Sequence, residues 1–256
     1  MENNIISIIQ DKGISLVLSG GGFRGAFHLG VLAFLDDNNI KINAISGTSI
    51  GALIACSYAS GVKPTKILEI FESNEFKKMV SFNFSFKSFL KITIDKKIMN
   101  KLFLKENIED LNIPVYLTIS SISDSYVIYQ NKGKVIDEIL KSISLFPIFE
   151  TVKEGSKIYA DGGIFDNLPL KPLKKYAFNI LSVNLHPNKK LKSLSFFSKI
   201  KKILFLVWYS NIIDSIDNSD YYITNDNLTK FNILKQNNNI ELFNLGYSSA
   251  KKKFPN

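Results

Sequence analysis

Hydrophobic positions along the chain fall into short runs that alternate between two periods. Residues 14–18 (I-S-L-V-L) form an apolar run of strand length that ends in a glycine cluster. Residues 26–37 then place Leu29, Leu32, Ala33 and Leu35 at helical spacing. Residues 42–46 predict a second short strand. Residues 50–60 predict a helix rich in small side chains, closed by Gly61 with Pro64 beyond. Strand, helix, strand, helix at this spacing argues for a parallel sheet with right-handed crossovers.

Further along, residues 65–78 read as an amphipathic helix, and residues 81–89 set Phe82, Phe84, Phe86 and Phe89 among polar neighbours. Residues 114–121 and 126–130 predict strands with Asp124 in the turn between them. Residues 135–145 predict a helix stopped before Pro147. Residues 157–160 lead into Asp161-Gly162-Gly163, a strand-to-turn junction. Residues 179–185 predict another core strand, and 192–214 one or two helices. There is no internal repeat, and no Gly-, Ser- or Pro-rich linker divides the chain. The expectation is a single domain over residues 1–256, with a motif-bearing core of about 14–185 and a C-terminal helical extension of about 186–256.

Composition narrows this picture. The 256 residues, 45% of them hydrophobic, suffice for a sizeable core, and the longest continuous apolar run, 203–208, is far short of the roughly 18 residues a membrane span requires. The start of the chain carries Glu2 and no basic residue, unlike a Sec-type signal peptide, and the lone Cys56 forbids an intramolecular disulfide framework. A cytoplasmic protein is expected, free to sit peripherally at membranes; export by a dedicated secretion system would leave no such mark. The net charge of +9 is almost wholly lysine, so no nucleic-acid partner is read from it. Arg24 is the one arginine in the chain.

Two glycine-framed motifs carry the chemistry. Gly47-Thr48-Ser49-Ile50-Gly51 has the form G-x-S-x-G between a strand and a helix, the pattern of a nucleophile elbow. A serine there sits at a helix N-terminus, where dipole and N–H groups favour a developing anion; the plainer reading is an N-cap. Gly20-Gly21-Gly22-Phe23-Arg24-Gly25 also spells the dinucleotide fingerprint. That fingerprint requires an acid about 20 residues on, at the end of the second strand. Asp36 and Asp37 come too early, so the dinucleotide reading fails. As an oxyanion hole, Gly20, Gly21 and Gly22 fit better, since consecutive glycines let N–H groups approach a ligand. Arg24 is read as bracing loop carbonyls rather than holding phosphate.

The serine needs a base. Among the candidates, His28 lies within the predicted helix after the glycine loop, and His186 follows a strand before Pro187. Both are read as structural histidines. Asp161, held at a strand end by Gly162 and Gly163, is the stronger candidate, because a carboxylate gains proton affinity in a dry pocket. Cys56 is read as a buried small hydrophobe.

With these residues in hand, the chain resembles the patatin-like phospholipases. The G-G-G-F-R-G loop, the G-T-S-I-G elbow and the D-G-G turn match that family's motifs in order and spacing, and Ser142 to Pro147 (S-I-S-L-F-P) looks like its proline-ended serine block. The resemblance implies a three-layer α/β/α sandwich with a mainly parallel sheet. It implies a Ser49–Asp161 dyad acting through an acyl-enzyme on lipid acyl esters, phospholipids included, an oxyanion hole at Gly20 to Gly22, and no metal or other cofactor. Arg24, Gly25, Gly47, Gly51, Gly162 and Gly163 support those motifs. Other classes remain open: an acyltransferase, a Ser-His hydrolase using His186, or a non-catalytic lipid- or partner-binding protein. The segment from Lys189 to Trp208 interleaves lysines with Phe196, Phe197, Phe205 and Trp208, and is read as a contact for anionic membrane. The Phe-rich stretch 81–89 is a second candidate, as a lid or docking loop.

Overall fold

The computed structural model describes residues 5–79, 95–176, 179–188 and 195–255. After helix α1 (Ile5–Lys12), the buried strand β1 (Ile14–Leu18) runs through the middle of the sheet. It pairs in parallel with β2 (Ile42–Thr48) on one side and β7 (Asn179–Val183) on the other. The crossover from β1 to β2 is α2 (Ala26–Asp37), and α3 (Ile50–Ala59) follows β2, as the hydrophobic period predicted. Beyond lie β3 (Val115–Ser121), parallel to β2, and β8 (Tyr221–Ile223), parallel to β7. At the other end the sheet turns antiparallel: β4 (Tyr126–Gln130) and β6 (Lys157–Asp161) both pair with β3, and β5 (Val152–Glu154) pairs with β6.

Successive strand residues point to opposite faces, and both faces are buried. Leu16 and Leu18 join one apolar cluster while Val17 joins the other; Ile45 and Ala44 divide likewise, as do Leu117 and Tyr116. The larger cluster packs α2, α3, α4 (Pro64–Glu72), α7 (Val135–Ile143) and α9 (Asn239–Lys253). The smaller one is covered by Tyr209 and Ile212 of α8 (Phe196–Asp217). Helices on both sides of a mostly parallel sheet are the architecture the sequence implied.

Several boundaries differ from expectation for local reasons. The single helix expected over 65–78 is two, α4 and α5 (Asn74–Met79). Ser73 is extended between them, and its hydroxyl accepts from Phe76 N while donating to Ile70 O, so it closes one helix and caps the next. A short helix, α6 (Lys96–Leu102), begins at Asp95, whose carboxylate accepts from Lys97 N. The C-terminal segment is largely helical and is also woven into the core. It supplies an edge strand, and Leu242, Ala250 and Phe254 are buried in the main core. The Phe-rich stretch 81–89, Lys189, Lys190 and Lys192 lie outside the described residues, as do the side chains of Phe197 and Lys201.

Candidate functional site

The pairing of β3 brings the two candidate groups together. One edge of β3 is occupied by β4 from Leu117 to Ser121. The other is shared by two strands in succession: β2 reaches Thr48 opposite Thr118, and β6 ends with Asp161 opposite Ile119. Two strands thus meet head to head, one ending in Ser49 and the other in Asp161. Residues 112 positions apart in the chain become neighbours through one register step.

Ser49 stands alone between β2 and α3 with φ 54° and ψ −122°. This region is costly for any residue with a side chain, about 1–3 kcal/mol, and persists only where the surroundings hold it. Gly51 shows how tight the turn is: a Cβ there would lie 2.4 Å from Leu18 O. The Ser49 N–H is turned back to donate to Ser142 Oγ at 3.0 Å, and Ser142 Oγ donates to Thr118 O at 2.8 Å. The Ser49 carbonyl accepts from Leu53 N and so begins α3.

Asp161 is buried, 3% exposed. Its Oδ1 accepts from Gly163 N at 2.7 Å, its N–H donates to Ser144 O at 2.9 Å, and its carbonyl accepts from Ser120 Oγ at 2.9 Å. Burial pushes the carboxyl up to about 6, while hydrogen bonds from the Ser49 side chain and Gly163 N hold it from rising further. A carboxylate of that basicity beside a hydroxyl can accept the hydroxyl proton and remains ionised at neutral pH.

The glycine loop crosses above the elbow. Gly20 N–H donates to Asn167 O at 3.3 Å, whereas the N–H groups of Gly21 and Gly22 meet no acceptor among the described residues. Gly22 has φ 54°, and a Cβ there would lie 2.3 Å from Ile233 O. Arg24 does brace carbonyls, although not those of its own loop. Nε and Nη2 donate to Phe231 O at 3.0 and 2.8 Å, and Nη1 donates to Leu185 O at 2.9 Å. Both histidines hold the same region. His28 Nε2 donates to Ser19 O at 2.9 Å and His186 Nε2 to Gly20 O at 3.1 Å. Burial lowers them to about 4 and about 3, so both stay neutral.

Ser49, Asp161 and the glycine loop line a cavity of about 510 Å³. Its walls are apolar, with Leu53, Phe71, Met99, Ile139, Leu145 and Phe149 among them. Phe205 and Trp208 of α8 also line it, which corrects the sequence reading of an outward aromatic face. Trp208 Nε1 donates to Gly163 O at 2.7 Å and its ring meets His186 edge-on at 4.7 Å. Asn167 lines the cavity as well and was not foreseen. Its role is carried by a backbone carbonyl, which residue identity does not reveal. Cys56 is buried, as expected. Among the described residues no cluster of His, Cys, Asp or Glu could hold a metal ion.

Comparison with known proteins identifies the family. The family model described as patatin-like phospholipase matches residues 16–174. Lysophospholipase NTE1 of Debaryomyces hansenii is 31% identical over 177 residues, covering 66% of this chain and 11% of that protein. The protein of the same name from Candida albicans is 30% identical over 177 residues, covering 66% and 13%. The chain thus spans little more than a tenth of these relatives' own length. The crystal structure of VipD from Legionella pneumophila superimposes with a TM-score of 0.60 over 95% of this chain and 67% of that one, at 14% identity. That likeness extends the shared fold beyond the matched motifs.

Proposed function

The chain belongs to the patatin-like phospholipase family, and on that premise we propose that it is a lipid acyl hydrolase of the phospholipase A type, working by a Ser49–Asp161 dyad. The observation that carries the reading is a strained serine and a buried carboxylate, brought together where two strands meet on one edge of β3, both lining an apolar cavity. The acyl chain lies along the apolar walls and presents its ester carbonyl to Ser49. Asp161 takes the hydroxyl proton as Ser49 Oγ attacks the carbonyl carbon. Negative charge then moves to the carbonyl oxygen, where the N–H groups of Gly21 and Gly22 receive it; each such donor contributes on the order of 10²-fold or more in rate. Gly20 makes the close approach of the loop while its own N–H holds Asn167. The intermediate collapses, the ester C–O bond breaks, and Asp161 returns the proton to the departing alcohol. Water attacks the acyl-serine in the same way, and the fatty acid leaves.

Lipid reaches the cavity from a membrane surface along α8. The inner face of this helix, with Phe205, Trp208, Tyr209 and Ile212, is turned to the protein. Its outer face is aliphatic: Ile203, Leu204 and Val207 are 59, 65 and 66% exposed, with Phe196 beyond them. Lys199 and Lys202 flank that face, a pairing suited to an anionic interface. Among the described residues no helix is long and apolar enough to cross a membrane. The test is fatty-acid release from phospholipid vesicles and lysophospholipid micelles by the wild type beside Ser49→Ala. Release by the wild type and none by the variant is expected; equal release by both, or by neither, overturns the reading.

A further inference from the structure

We propose that the closing turn of α7 is a positioning clamp that fixes how far Ser49 stands from Asp161. The proposal rests on reading those two residues as nucleophile and base. Two consecutive side chains and one carbonyl make the clamp. Ser142 Oγ accepts the Ser49 N–H at 3.0 Å and donates to Thr118 O at 2.8 Å, with its side chain fully buried. Lys141 Nζ is held between Glu138 Oε1 at 3.0 Å on its own helix and Glu154 Oε1 at 2.8 Å on β5. It also lies 5.0 Å from the ring centroid of Tyr159 on β6. Ser144 O accepts the Asp161 N–H at 2.9 Å.

The arrangement fastens each reacting group to one rigid turn. Ser142 grips the nucleophile through its main chain, at the residue whose backbone is strained. Lys141 grips the hairpin β5–β6 that ends in the base, and Ser144 grips the base's own N–H. Without the clamp, the separation of Ser49 and Asp161 would depend on pairing at the tips of two strands. With it, a packed helix sets that separation. Position 142 requires a hydroxyl, because one atom must accept from Ser49 N–H and donate to Thr118 O at once. An alanine there leaves the Ser49 N–H without its acceptor and frees the elbow to relax.

Ser142 touches no reacting atom, so its effect is expected in kcat and not in KM. The experiment compares Ser142→Ala, Ser142→Cys and Ser142→Thr on a soluble short-chain ester. It also follows the rate at which a fluorophosphonate labels Ser49, with thermal melting to confirm folding. Cysteine keeps the volume but accepts hydrogen bonds weakly, so it holds the packing should alanine fail to fold. Losses of kcat and labelling rate on the order of 10²-fold are expected for Ala and Cys, with KM nearly unchanged. Threonine should recover most of the rate. A folded Cys variant with wild-type kcat and labelling rate overturns the clamp alone. A wild type that the reagent does not label at Ser49 overturns the reading of the site, and the clamp with it.

Discussion

The segment from Ile14 to Ala59 and the hairpin β5–β6 each deliver one member of the proposed dyad, and they are built on different plans. The first is continuous in sequence: strand, glycine loop, helix, strand, elbow, helix, with every connection between parallel neighbours. Its strands are buried on both faces and its turns are fixed by close backbone approach. The second is a short antiparallel hairpin whose outer strand is largely exposed, and it reaches the site through pairing with β3 and through α7. Ser49 is therefore shaped mainly by its own turn, with one distant hydrogen bond to Ser142, whereas Asp161 is placed mainly by distant contacts. A local device tolerates little change in its own residues, whereas a distant one can be loosened from afar.

Substitutions separate the two arms. The largest effect is expected for Asp161→Asn, which removes the proposed base and leaves the elbow intact. Hydrolysis should fall on the order of 10²- to 10⁴-fold. The same change should stabilise the protein. The folded carboxyl titrates near 6 against an ordinary 3.8, so its contribution to stability is fully present below about pH 4 and is lost as pH rises through 6. Denaturant unfolding should show Asp161→Asn more stable by about 2–3 kcal/mol at pH 8, with that gain absent at pH 4. Equal stability at both pH values would contradict a buried carboxylate.

Gly22→Ala attacks the other arm. A Cβ at φ 54° would press on Ile233 O, displacing the loop N–H groups. A loss of about 10²- to 10³-fold in kcat is expected with substrate affinity retained. Wild-type turnover by this variant would remove Gly22 from the oxyanion hole. A smaller effect is expected at α8. Paired Leu204→Lys and Val207→Lys should lower vesicle hydrolysis by roughly tenfold, given the apolar area lost to the interface. Hydrolysis of a soluble ester should not change, and a parallel loss on both substrates would reject the docking face. The smallest effect is expected for His186→Gln, which can keep the bond to Gly20 O. Turnover on the soluble ester should stay within a few-fold of wild type; a loss beyond about 10²-fold would make the histidine the base.

The same contrast explains what could be read in the chain before its structure. The strands at 14–18 and 126–130 and the helix at 26–37 emerge with the expected bounds, because each is set by local period and flanking turns. The elbow is equally visible, since Gly47, Ser49 and Gly51 act on one another. Asp161 shows only as an Asp-Gly-Gly turn; nothing local announces that β6 continues the edge of β3 where β2 stops. Ser142 stands out as part of a block, yet its bond to Ser49 N spans 93 residues and leaves no period to read. The sequence pattern puts the aromatic residues of α8 on its outward face. Phe205 and Trp208 pack inward because Trp208 finds an acceptor in Gly163 O, which leaves the aliphatic residues outside.

The most direct test follows the rate at which a fluorophosphonate labels the protein from pH 4 to pH 9, with the modified residue located by peptide mass spectrometry. Labelling should fall on Ser49, with a rate that drops below a single protonation near pH 6, and Asp161→Asn should react at least about 10²-fold more slowly at pH 8. A label on another residue, a rate independent of pH, or an Asp161→Asn variant as fast as the wild type would contradict the dyad.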